Sequence, residues 1–147
     1  MLVALLVAGC NSDMPTRSSP ASVDSLLQVI PPPFVGTPPV DYSGIWIGES
    51  RGEGCVAVIT PCRVNVTPAS VRLEFIQRGN ELTGFSQTTP LTGYVTASLG
   101  VFVQTAFGKI SLERLNDGFT GLSVGDTIQN GMIVRSESRR IPFLRRE

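Results

Sequence analysis

From Tyr42 onward the chain is cut into short runs of alternating apolar and polar residues, separated by turn-forming residues. The clearest run is Val71-Arg-Leu-Glu-Phe-Ile-Gln77. Val71, Leu73 and Phe75 share one face while Arg72 and Glu74 share the other, which is the period of a half-buried strand. Arg78-Gly79-Asn80 turns the chain into a hairpin partner over 81–87. Runs at 91–97, 101–106, 109–114, 119–124 and 127–134 follow in the same manner. Ser98-Leu-Gly100, Phe107-Gly108, Asn116-Asp117-Gly118 and Gly125-Asp126 supply turn chemistry between them. With 44–50 at the start and 141–146 at the end, eight or nine strands are predicted, with no helix among them.

Leu82-Thr-Gly84, Leu91-Thr-Gly93 and Phe119-Thr-Gly121 repeat a large-Thr-Gly theme near strand starts. Glycine inside a strand marks a bulge or bend, and small barrels need such points to curve. Short sequential connections favour antiparallel neighbours, and closing the sheet removes its two exposed edges. The expected fold is all-β: an antiparallel up-and-down meander closing into an eight- to nine-stranded barrel over 42–147. Phe75, Phe85, Tyr94, Phe102 and Phe119 are the aromatic candidates for its interior.

Upstream of this domain the texture changes. Residues 11–40 hold seven of the eleven prolines, with Ser and Thr filling much of the rest. Such a stretch cannot form a core and is expected to be an extended or disordered tether, assigned to 10–41. Within it, 22–30 is the one helix-like segment, capped by Ser22 and stopped by Pro31. It is too short to be stable alone, and either docks on the domain or serves a partner.

The first ten residues are an apolar run ending in Val7-Ala-Gly-Cys10, followed abruptly by Asn11-Ser-Asp-Met-Pro15. This resembles the lipobox of a bacterial lipoprotein signal peptide. The resemblance implies removal of residues 1–9 and acylation of Cys10 as the mature N-terminus. The run is too short to span a bilayer as a helix. No positive charge accompanies Met1, which predicts a translation start upstream of it. Asn11 in place of an aspartate after the cysteine implies the outer membrane. The expected location is therefore the bacterial envelope, with the domain in the periplasm or at the surface and membrane lipid as a partner through Cys10.

Twelve basic residues balance twelve acidic ones, so no positive field draws nucleic acid, and no such partner is expected. Histidine is absent, which removes the commonest general base and metal ligand together. The only lysine, Lys109, follows Phe107-Gly108 as a solvated hairpin residue, and the carboxylates fall in turns or on polar faces. The arginines at 139–140 and 145–146 read as exposed edge and terminal charge. No catalytic residue, cofactor or metal is assigned, and the chain is not expected to be an enzyme. With Cys10 taken by lipid, Cys55 and Cys62 remain as a pair, and an exported compartment favours a structural disulfide between them. A redox site would want a C-x-x-C spacing, and a zinc site more ligands.

Asp41-Tyr-Ser-Gly-Ile-Trp46-Ile-Gly48 resembles the Gly-x-Trp opening of lipocalins and of avidin-like barrels. The texture is similar to the small lipocalin-like barrels of bacterial lipoproteins, across about 42–146. The lipocalin resemblance implies that Trp46 plugs one barrel end, with Arg145 or Arg146 of the last strand over its indole. The chain lacks the family's Thr-Asp-Tyr motif and its C-terminal helix. Two functions follow as expectations. One is a structural or interaction lipoprotein that meets an envelope protein through its outer surface. The other is carriage of a small apolar ligand in the barrel, for which an interior cavity of ligand size is the discriminating feature.

Overall fold

The computed structural model describes residues 21–58 and 61–147. Eight strands follow in order: β1 (Gly44–Ala57), β2 (Ala69–Arg78), β3 (Glu81–Ser86), β4 (Thr89–Val95), β5 (Val101–Thr105), β6 (Gly108–Leu115), β7 (Gly118–Gln129) and β8 (Met132–Arg146). Each pairs antiparallel with the next, and β8 returns to β1 to close the barrel. The leader expected over 1–9, and Cys10, lie outside the described residues.

The strand count is eight because the expected turn at Gly125-Asp126 is part of β7. The chain reverses instead at Asn130-Gly131, with φ of 51° and 77°, the pair best suited to a two-residue hairpin turn. Gly125 and Asp126 pair with Glu137 and Ser136 without a break, so turn-forming residues are here absorbed into a strand.

An eight-stranded barrel is just wide enough for its own side chains to fill it. Leu73, Phe75, Leu82, Leu91, Val95, Val101, Val103, Leu112, Phe119, Ile141 and Leu144 do so, all buried in one continuous core. Only Phe75 and Phe119 of the candidate aromatics join this cluster. Phe85 is exposed. Tyr94 and Phe102 face each other across the β4–β5 pair, with ring centroids 5.5 Å apart. Their neighbours Val95, Val101 and Val103 hold the inward positions, so alternation sends Tyr94 and Phe102 to the outer face, where Phe102 is nevertheless buried beside Ile30 and Pro33.

The large-Thr-Gly theme has a steric cause. A Cβ on Gly84 would lie 1.8 Å from the Glu74 carbonyl oxygen, on Gly93 2.0 Å from that of Phe102, and on Gly121 2.1 Å from that of Ser111. Adjacent strands press together at these points, and only hydrogen fits.

Residues 21–41 contain no helix, the 22–30 segment included. They are extended, as their composition predicts, but seated on the barrel rather than free. The Val23 amide donates to the Ile133 carbonyl at 2.9 Å, and the Leu26 amide to Ser136 Oγ at 3.0 Å. Further on, the Tyr94 hydroxyl donates to the Pro31 carbonyl at 2.7 Å and the Ala97 amide to that of Pro32 at 2.8 Å. Prolines offer no N–H, so the barrel provides the donors that hold their carbonyls.

Candidate functional site

Where β1 begins and β8 ends, the barrel is closed by aromatic rings. The Trp46 indole N–H donates to the Tyr42 carbonyl at 2.9 Å. Phe119 meets Tyr42 and Trp46 edge-on, with centroids 4.8 and 4.7 Å away. Cross-strand pairing of Trp46 with Arg146 brings the guanidinium carbon to 5.4 Å from the indole centroid. Arg146 also donates to the carbonyls of Asp41, at 3.2 Å, and Ser43. Arg145 pairs with Ile47 and lies beside Pro142 and Phe143, away from the indole. Burial pushes the Tyr42 phenol above its ordinary pKa, against the opposing charge of Arg114. Exposed Asp41 is held below its ordinary value chiefly by the Ser43 amide donating to its carboxylate. Arg146→Ala is expected to lower stability by about 0.5–1 kcal/mol and to alter Trp46 emission. An unchanged denaturation midpoint and spectrum would refute the contact.

The opposite end has a different tie. The Arg139 guanidinium donates to Ser50 Oγ and the Ser50 carbonyl, each at 3.0 Å. It also donates to the carbonyls of Thr67, at 2.7 Å, and Asn65, at 3.2 Å. This pins the 65–67 segment onto β1 and β8. Nothing in the sequence distinguishes Arg139 from Arg140, whose exposed side chain pairs with Glu53 at 2.6 Å. Strand register alone separates the half-buried hub from the solvated charge.

Cys55 and Cys62 are joined, with Cα atoms 5.5 Å apart. Glu137 lies opposite Cys55 on β8, its Oε1 3.8 Å from the sulfur. The three could share a soft metal ion only with both sulfurs reduced, since a disulfide offers no thiolate. Cys55→Ser with Cys62→Ser is expected to cost about 2–3 kcal/mol through release of the short loop. Equal denaturation midpoints with and without the bridge would contradict that role.

A hollow of about 570 Å³ opens on the outside of β3, β4 and β5. Tyr94 and Phe102 line it with Ile30 and Pro33, while Thr83, Thr92 and Gln104 add polar groups. The sequence offered no sign of it, because one side of it is closed by Ile30 and Pro33 of the docked proline segment.

No family model, curated protein or solved structure matches the chain. Its geometry is that of a closed eight-stranded antiparallel barrel, compatible with a lipocalin-like architecture.

Proposed function

We propose that this chain is a lipid-anchored envelope protein of structural or interaction type, without catalytic activity, whose outer surface meets its partner. The observation that carries this is the filled interior, whose side chains from Leu73 to Leu144 form one buried core, while a hollow of about 570 Å³ lies outside the barrel. The anchor in this proposal is Cys10 of Val7-Ala-Gly-Cys10, and Asn11 directs it to the outer membrane. Two or three acyl chains hold a protein to a bilayer where one does not, since each buried methylene contributes about 0.8 kcal/mol. Kinship with lipocalin-like lipoproteins is supported by Gly44-Ile-Trp46 and by Arg146 over the indole.

The interior site expected for carriage of a small apolar ligand is occupied by core side chains, so this second reading draws instead on the outer groove. Its volume of about 570 Å³ lies in the range of ligand sites. Mass spectrometry of the membrane fraction tests the anchor: Cys10 is expected to be acylated, and an intact soluble chain bearing Met1 would overturn it. Native mass spectrometry of the purified protein then separates the two readings. A bare polypeptide favours the interaction role, and one apolar molecule retained per chain favours carriage.

A further inference from the structure

β7 runs past its neighbour β6, while β8 is accompanied by β1 as far as Ala57↔Arg135 and by the Val58 amide, which donates to the Val134 carbonyl at 3.0 Å. β6 pairs with β7 only as far as Gly108↔Gly125. Beyond that point β7 continues against β8 through Ile128↔Ile133 and Gln129↔Met132. The projecting stretch from Thr127 to Val134 carries no charged residue, in a chain with twelve basic and twelve acidic ones. Ile128 is 59% exposed at this tip, and Phe107, on the adjacent β5–β6 turn, is 70% exposed. The two line one hollow, and the Asp126 amide donates to the Phe107 carbonyl at 3.0 Å. Single exposed apolar residues are ordinary. Here two of them share one hollow, with Lys109 and Asp126 at its side and Arg135 opposite Thr127, so the apolar pair sits at the tip with charge behind it.

The path of the N-terminal chain identifies what it contacts. The Val23 amide is bonded to the Ile133 carbonyl, so the segment that follows Cys10 joins the domain at this same hairpin. The thirteen steps from Cys10 to Val23 reach at most about 47 Å when fully extended. An anchor at Cys10 therefore attaches to this end of the barrel and keeps it within that distance of the bilayer, so the tip contact can form without strain in the tether.

We propose that Ile128 and Phe107 form a second membrane contact, entering the bilayer interface beside the acylated Cys10. The proposal rests on the lipid anchor argued above. A fluid bilayer accepts a convex apolar tip without a complementary shape, and a shallow insertion leaves Lys109, Asp126 and Arg135 behind it at the level of the headgroups. Tethering makes the second contact intramolecular, so a weak insertion is enough to orient the domain.

The test uses the full chain on vesicles of phosphatidylethanolamine and phosphatidylglycerol, some carrying brominated acyl chains. In the acylated protein, I128W is expected to be strongly quenched by bromine. Trp46, buried at the other end, reports no quenching in the unsubstituted chain. In the unacylated Cys10→Ser chain, I128D with F107D is expected to weaken vesicle binding roughly tenfold or more. Circular dichroism checks that the barrel persists. Acylated Cys10 with an unquenched I128W overturns the tip contact and leaves the anchor standing. Unmodified Cys10 with a vesicle-bound, quenched I128W refutes the anchor and leaves the tip contact standing. A dimer dissolved by I128D, with vesicle binding unchanged, makes this face an interface between copies and also overturns the proposal.

Discussion

Gly84→Val is expected to abolish the folded barrel, with a loss above about 4 kcal/mol. Two independent costs meet at this position. Gly84 has φ of +148°, a conformation that side-chain-bearing residues rarely adopt. A Cβ there would also lie 1.8 Å from the Glu74 carbonyl oxygen, which is itself backbone and cannot rotate away. Relief would require β2 and β3 to separate between Phe75 and Gly84, where they are paired. Closure depends on every strand pair, so separating one pair exposes two edges. The measurement is thermal unfolding followed by far-ultraviolet circular dichroism, and a cooperative transition near that of the parent would refute the argument. Gly125→Ala serves as the control. Gly125 is exposed and a Cβ there would meet nothing nearer than 3.8 Å, so a change within about 0.5 kcal/mol is expected.

Phe119→Ala is expected to cost about 3–5 kcal/mol, the usual loss for emptying a fully buried aromatic site. At this chain size that corresponds to a fall in melting temperature on the order of 10–20 °C. Phe119 is completely buried and wedged edge-on between Tyr42 and Trp46. Its removal opens a cavity beneath the indole, and strands held in a closed barrel collapse into it poorly. Trp46 emission is expected to shift to the red as water gains access. Phe85→Ala provides the contrast within one residue type, because Phe85 is exposed and its loss leaves no hole. A similar effect at Phe85 and Phe119 would mean that the assignment of inner and outer faces is wrong.

These two residues also mark how much could be read beforehand. The repeated theme singled out Gly84, Gly93 and Gly121 as bend points, but register runs unbroken through Gly84 and Gly93 and shifts only at Phe119/Gly121; what the three share is a neighbouring carbonyl too close for a Cβ. Phe75 followed from simple alternation, since Val71–Gln77 has no bulge against β3. Phe85 and Phe102 did not follow, because inward and outward faces depend on which neighbour each strand adopts. Trp46 and an arginine of the last strand were legible as a pair of residue types. The choice of Arg146 over Arg145 was decided by a one-residue register between strands almost one hundred residues apart. Arg139 and the outer groove were not legible at all. Each is made where segments distant in sequence meet, and neither leaves a local pattern.

By itself, the order of amino acids determined the strand class, most of the turns, the cysteine pairing and the extended character of the proline-rich segment. All of these are local consequences of side-chain period, backbone freedom and chain composition. Tertiary structure alone decided the strand count, the filled interior, the seating of residues 21–41 and the apolar tip beside Val23. Closure of the sheet sets long-range register and bulges, and these dictate which side chains share a space and which are left facing outward.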